Sequence, residues 1–222
     1  MRKEGVQVYI AVLFAMIFWG FSFIWSKMVF EVYRPVTTVL LRLVISSAFM
    51  WVVGLAFGKI NKLRKKDLKA MILLTFYQPF LYFIGENIGL SMVSSTVAAV
   101  IIATIPLFTP VASYFFFKER VSVMNVLGIL VSIFGVFLVI VKDNFSLKAS
   151  PAGILLLLLA VVSASAYSVA IKKFSRYYNA YSLITYQNTF GILMFLPVFL
   201  IFDYDHFMQA QITKEAFTAL IM

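Results

Sequence analysis

The sequence predicts an all-α polytopic membrane protein, a bundle of membrane-spanning helices, on three observations. Of its 222 residues, 63% are hydrophobic and 13% are charged, whereas a soluble domain has roughly 45–50% apolar and about 25% charged residues. The apolar residues form runs of about 20, the length that crosses a bilayer as a helix. These runs lack the alternating pattern of transmembrane β-strands, so helices are predicted instead of a barrel.

Seven apolar runs are long enough to span a membrane, and short polar breaks separate them. The runs are Val6–Trp25, Pro35–Phe57, Leu68–Leu90, Ser94–Phe117, Ser122–Val141, Ala152–Ile171 and Tyr181–Phe202. An eighth begins near Thr213. The first run follows two basic residues, as in a signal peptide. It is too long for one, however, and no small-residue cleavage site follows before Lys27, so we predict a membrane helix.

Lysine and arginine are distributed unevenly over the connections between spans. With the N-terminus inside, the inner segments hold thirteen of these residues and the outer segments five, including Lys142 and Lys148. The positive-inside rule therefore predicts a multi-pass membrane protein with a cytoplasmic N-terminus. We interpret the net charge of +10 and the basic run Lys59–Lys69 as topology determinants on anionic membrane lipid. Recognition of a specific lipid or protein is the alternative, and no nucleic-acid partner is predicted.

An internal repeat of the hydropathy pattern appears when the chain is shifted by 145 residues. The sixth span then falls on the first and the seventh on the second, with Lys27 on Lys172 and Tyr33 on Tyr178. Because five spans are an odd number, the second copy is inverted, an arrangement typical of transporters with a site between the repeats. We expect residues 1–145 to form the first five-helix repeat and residues 146–222 an incomplete, truncated second repeat.

Short motifs along the whole chain resemble the EamA-like permeases of the drug/metabolite transporter superfamily. They are Trp19-Gly20-x-Ser22-Phe23, Pro35 with Arg42 seven residues later, Ser95-Thr96-Val97-Ala98-Ala99 leading to Pro106-Leu107, Lys118-Glu119-Arg120, and Gly128 with Gly135. The second repeat departs from the pattern, with Ala164-Ser165 in place of Trp-Gly and Gln187 in place of Arg42. The resemblance implies ten helices in two inverted repeats. It also implies a secondary transporter of the inner (cytoplasmic) membrane that exports or exchanges small metabolites, such as amino acids, by alternating access.

Two ionisable residues within spans are candidates for function. A charge inside a span costs about 2.5–3.5 kcal/mol on insertion scales, so each such residue needs a partner or a role. Arg42 and Glu86 lie at similar depth, near the outer ends of the second and third spans. One interpretation is a buried ion pair that fixes these two helices. In the other, Glu86 binds a charge on the substrate or couples transport to protons.

Further polar and aromatic residues near the middle of the spans complete the candidate substrate cavity. The full set is Trp19, Ser22, Arg42, Gln78, Glu86, Asn87, Thr104, Tyr186, Gln187 and Asn188. Hydrogen bonding between helices is the alternative role for the triplet Tyr186-Gln187-Asn188, and core packing is the alternative for Trp19. Pro79, Pro106 and Pro110 are expected to kink the third and fourth spans, because proline removes a helical hydrogen bond.

The sequence indicates no enzyme. It has one histidine, His206, and no cysteine, so we predict no metal site, and it has no glycine-rich phosphate loop, so no cofactor is predicted. Asp203, Asp205 and His206 are expected in a solvated loop. Gly54-x-x-x-Gly58 and Gly85-x-x-x-Gly89 permit close helix approach, either within the chain or in a homodimer. A non-transporting membrane scaffold or an inactive fragment is the alternative function.

Overall fold

A computed structural model describes residues 2–140 and 149–222, with side chains from residue 8 onward. The predicted boundary between the repeats, at residues 145 and 146, lies outside the described residues, as do Lys142 and Lys148. Within the described ranges, seven helical segments are long and apolar enough to cross a membrane. The predicted all-α polytopic membrane fold is therefore confirmed.

Eleven helices build the described part of the chain, and two pairs of them each form one broken span. The helices are α1 (Arg2–Phe30), α2 (Pro35–Ala56), α3 (Leu68–Thr75), α4 (Tyr82–Met92), α5 (Ser95–Ile102), α6 (Ile105–Phe117), α7 (Val123–Ile140), α8 (Pro151–Phe174), α9 (Ala180–Phe202), α10 (Tyr204–Gln209) and α11 (Lys214–Ile221). The third span consists of α3 and α4, and the fourth of α5 and α6. The short helix α10 was not predicted.

The third span is interrupted between α3 and α4, as predicted from Pro79. Residues 76–81 form a wide turn in which Gln78 has an extended backbone (φ −146°, ψ 122°), and the Gln78–Pro79 peptide bond is cis. Side chains of the neighbouring helices bind the carbonyl groups at this break. Ser163 Oγ donates to Tyr77 O at 2.7 Å, and Gln187 Nε2 donates to Gln78 O over a long 3.5 Å.

The fourth span also breaks near a predicted proline. Helix α5 ends at Ile102, and α6 begins at Ile105 with Pro106 in its first turn, where a missing N–H costs no helical bond. Thr104 lies at this junction and donates its hydroxyl to Ile101 O at 2.6 Å. Pro110 does not end the helix, which continues to Phe117. The prediction is confirmed at Pro106, whereas at Pro110 the helix persists.

Helices α4 and α8 cross closely because glycines form the contact surface. A Cβ atom added to Gly85 would lie 2.5 Å from Leu156 O, and one added to Gly89 would lie 2.9 Å from Gly153 O. The predicted close approach at Gly85-x-x-x-Gly89 therefore occurs within the chain. Gly58 has a different role: it follows α2 with φ +60°, a conformation that favours glycine.

Helices α2 and α9 pack antiparallel, and the connection that follows each helix is hydrogen-bonded to the first turn of the other. Asp203, after α9, accepts bonds from Thr37 N at 3.0 Å and Thr37 Oγ1 at 2.9 Å in the first turn of α2. Asn61, after α2, donates its N–H to Ser182 Oγ at 2.7 Å in the first turn of α9. Thr37 and Ser182 are equivalent under the 145-residue shift, the relation expected of inverted copies.

The predicted solvated position of Asp203 is wrong, since its side chain is only 5% exposed. A helix begins with backbone N–H groups that lack helical partners, and the side chain of Arg34, at the N-cap of α2, does not bind one. The carboxylate of Asp203 takes that role from a distant part of the sequence. Asp205, two residues on, is exposed as expected.

Substitution of Gly85 by alanine is expected to lower the free energy of unfolding by about 1–3 kcal/mol, the usual cost of overpacking. The added methyl group meets the backbone of α8, which cannot rotate away. Titration with SDS in mixed micelles measures the effect. Gly20→Ala is the matched control, because nothing lies within 4 Å of its Cβ position. Equal stability of the two variants would contradict the close crossing.

Substitution of Asp203 by alanine is expected to cost about 1–3 kcal/mol of unfolding free energy, since it leaves the buried donors of Thr37 without an acceptor. The same SDS titration measures this loss. The exposed neighbour provides the control: Asp205→Ala should stay within about 0.5 kcal/mol of the unmodified chain. An Asp203→Ala variant as stable as this control would show that the cap contributes nothing.

Candidate substrate-binding site

A cavity of about 900 Å³ lies among α1, α2, α4, α8, α9 and the end of α11. Its wall takes residues from the last third of α1, from residues 39–49 of α2 and from the whole length of α4. These segments lie in the half of the bundle that contains the connection between α1 and α2, near Lys27 and Arg34. In the opposite half the interior is packed, with Met71, Leu74 and Leu183 buried in one cluster.

Seven of the ten residues predicted for the cavity line its wall. They are Trp19, Ser22, Arg42, Gln78, Glu86, Asn87 and Asn188. Thr104, Tyr186 and Gln187 lie outside the wall. Thr104 is buried at the junction of α5 and α6.

Arg42 enters the cavity wall from the second turn of α2. Its guanidinium group donates to Ser26 Oγ at 2.7 Å and to Ala219 O at 3.1 Å. Among the described residues, no carboxylate lies within 4.0 Å of it. A guanidinium group has five N–H donors, so these two bonds leave donors for a ligand.

Glu86 is a buried carboxylate on α4, held by neutral donors. Tyr82 lies one turn earlier on the same face and donates its hydroxyl to Oε1 at 2.5 Å, and Asn87 Nδ2 donates to Oε2 at 3.4 Å. The ion pair with Arg42, one of the two interpretations drawn from the sequence, is not formed among the described residues. The cavity therefore contains two opposite charges that do not neutralise each other by contact.

The predicted triplet on α9 divides among three environments, because successive helical residues point about 100° apart. Asn188 lines the cavity and donates to Ser46 Oγ at 2.8 Å. Gln187 stands behind the wall, where its Oε1 accepts a bond from Tyr167 at 3.0 Å. Tyr186 points to the connection after α2 and donates to Asn61 O at 3.0 Å.

Five polar residues of the wall lie outside the predicted set: Ser26, Ser46, Tyr82, Tyr167 and Ser168. Three of them lie four positions from a predicted residue, since Ser26 follows Ser22, Ser46 follows Arg42, and Tyr82 precedes Glu86. Residues four apart share a helix face, so this spacing was the available signal. Tyr167 and Ser168 have no such partner among the predicted residues.

The rest of the wall is largely apolar and aromatic. Trp19 and Phe23 lie with ring centroids 6.2 Å apart, and Phe49 and Phe83 also face the cavity. A wall that joins aromatic rings to a few fixed polar groups is typical of small-molecule sites. The site thus combines one cation, one carboxylate and several amide and hydroxyl groups with an apolar surface.

Comparisons with known proteins agree with this architecture. The profile of the EamA-like transporter family matches residues 7–141 and 151–222. The chain is 32% identical over 203 residues to the uncharacterized transporter YdfC of Bacillus subtilis (strain 168), covering 89% of this chain and 65% of that protein. It is 28% identical over 192 residues to an uncharacterized transporter of Archaeoglobus fulgidus, covering 86% of this chain and 67% of the relative.

A crystal structure of a protein 18% identical in sequence shares the fold, with a TM-score of 0.64. The match covers 91% of this chain and 72% of that chain. The chain spans about two thirds of the length of the curated relatives that it matches. The resemblance predicted from short motifs is confirmed: this multi-pass membrane protein belongs to the EamA-like transporter family.

Proposed function

We propose that the chain forms the substrate site of a secondary transporter for small zwitterionic metabolites, amino acids above all. One observation carries the proposal: Arg42 and Glu86 line one cavity without an ion pair between them. An amino acid brings a carboxylate and an ammonium group to the same carbon atom. Arg42 binds the carboxylate through its unused N–H donors, and Glu86 accepts bonds from the ammonium group.

The aromatic part of the wall receives the side chain of the substrate. Trp19, Phe23 and Phe83 offer apolar surface beside the two charges, and a cavity of about 900 Å³ falls within the usual range for small-molecule sites. The amides of Gln78 and Asn188 lie nearer the middle of the bundle. They provide hydrogen bonds for a polar substrate side chain.

The position of the cavity in one half of the bundle supports a mechanism of alternating access. With the N-terminus in the cytoplasm, as the lysine and arginine distribution favours, the cavity lies in the outer half of the inner membrane. Release on the other side then requires the packed cluster around Met71 and Leu74 to separate. The helix break at Gln78 supplies a hinge at which α4, held closely by α8, turns relative to α3. Such broken helices mark the substrate sites of many transporters.

Glu86 is also the proposed coupling residue. It is the carboxylate of the cavity wall, and membrane-embedded carboxylates are frequent carriers of protons in transporters. Its partners Tyr82 and Asn87 are neutral, so protonation of the carboxyl group leaves no cation unpaired beside it. A pH gradient would then drive the exchange of substrate for protons.

Counterflow of a labelled amino-acid panel in proteoliposomes tests the transport function. We expect labelled zwitterions to accumulate against unlabelled amino acid on the other side. Competitors that lack one charge, an amino-acid amide or the corresponding 2-keto acid, should compete at least about tenfold more weakly, since each loses one charge-assisted bond. Absence of counterflow across the panel would favour the scaffold or inactive fragment. Equal competition by the singly charged analogues would contradict zwitterion recognition.

Substitution of Arg42 by glutamine is expected to weaken amino-acid binding about ten- to a hundredfold, the loss of one hydrogen bond to a charged group. Thermal stabilisation of the detergent-solubilised chain by the amino acid gives the affinity. Lys27→Gln is the control, because Lys27 is a cation in the same half of the bundle that does not line the cavity. Unchanged affinity in Arg42→Gln would remove Arg42 from the site.

Substitution of Glu86 by glutamine tests the coupling role, with substrate supplied at a saturating concentration because the variant also loses one charge-assisted bond to the ammonium group. The amide of glutamine keeps the shape of the glutamate side chain and accepts hydrogen bonds, but it does not take up or release a proton at physiological pH. We expect counterflow to persist in Glu86→Gln while uptake driven by an imposed pH gradient is lost. Glu31→Gln, at an exposed position, should retain both activities. Retention of gradient-driven uptake by Glu86→Gln would refute the coupling role.

A further inference from the structure

Two connections at the packed end of the bundle carry exposed cations. These cations, the basic surface, are Lys59, Lys62, Lys65, Lys66, Lys69, Lys173 and Arg176. In the described part of the chain, none of them lies within 4.0 Å of a carboxylate. The basic surface therefore has positive charge that no carboxylate of the described residues neutralises by contact.

The single carboxylate within these two connections, Asp67, is already occupied. Its Oδ2 accepts a bond from Arg64 Nε at 2.6 Å and one from Tyr178 Oη at 2.6 Å. Arg64, which is not counted in the basic surface, thus balances Asp67. The seven remaining cations need counterions from outside the chain.

Hydrogen bonds fix the first connection to the second. Arg64 N donates to Tyr178 Oη at 3.1 Å, and Asn179 Nδ2 donates to Lys59 O at 2.9 Å. Tyr186 Oη also bonds to Asn61 O at 3.0 Å. The lysines therefore extend from a positioned backbone. A topology determinant needs only charge in the connection, whereas these bonds also give the charges a defined arrangement.

Apolar side chains border the basic surface and identify the kind of partner. Phe57 is 71% exposed and Tyr177 is 60% exposed, and Leu55 and Leu68 are also exposed. A soluble polyanion would leave these groups in water. A membrane offers phosphate groups to the lysines and an interfacial layer to the aromatic rings.

We infer that the basic surface is a binding site for acidic phospholipid headgroups, which hold together the connections that follow α2 and α8. Its occupant is phosphatidylglycerol or a lipid of the same headgroup charge. The lipid binds two segments from opposite halves of the chain, so its binding stabilises their contact. This inference does not depend on the transport function.

Unfolding temperatures in nanodiscs test the inference. We expect phosphatidylcholine discs that contain phosphatidylglycerol to raise the unfolding temperature by several degrees over pure phosphatidylcholine discs, and high salt to abolish the increment. Exchange of Lys59, Lys62, Lys65, Lys66 and Lys69 for glutamine should remove it. The control Lys27→Gln/Lys214→Gln, with cations from the other end of the bundle, should retain it. Absence of the increment in the unmodified chain would overturn the inference.

A second variant distinguishes a defined site from general attraction to charge. Asn61→Ala combined with Tyr186→Phe keeps every cation but removes two of the bonds that position the connection, from Asn179 N to Asn61 Oδ1 and from Tyr186 Oη to Asn61 O. We expect the lipid increment, compared within each variant, to fall by at least half. An unchanged increment would show that charge alone acts. An equal increment from polyglutamate added to the detergent-solubilised chain would show that no lipid is needed. Either result would overturn the inference.

Discussion

The exclusion of water from the bilayer core determines how this bundle is put together, because every polar group there must find its partner in the protein. The break at Gln78 is the clearest case. It exposes the carbonyl groups of Tyr77 and Gln78, and side chains from α8 and α9 bind them. These two helices must therefore lie beside the third span.

The cavity wall holds two opposite charges, and each has neutral hydrogen-bond partners of its own. A direct ion pair would fill the site with its own countercharge and leave little for a substrate to bind. Hydroxyl and carbonyl groups hold Arg42 in place without cancelling its charge, and Tyr82 does the same for Glu86. Glycine contacts between α4 and α8 support this arrangement, since they fix the helix that carries Glu86.

The spans and the depth of Arg42 and Glu86 were predictable, because apolar runs of membrane length and the position of a charge within a run are local properties of the sequence. The direction of a side chain around its helix was not, as the separation of Tyr186, Gln187 and Asn188 shows. It depends on which neighbour each helix face meets. Partners distant in sequence were also beyond prediction. Asp203 caps the helix α2, although it lies 166 positions after Thr37 in the sequence. Nothing in the sequence near Asp203 indicates this role.

Hydrogen bonds join α2 and α9 at both of their ends, and they restrict the motion of these two helices relative to each other. One set of hydrogen bonds, at Thr37, lies at one membrane face, and the other, at Ser182, lies at the opposite face. Sliding of either helix along the other would break bonds at both faces together, and tilting would stretch one set against the other. The two helices therefore keep a fixed position relative to each other across the full thickness of the membrane.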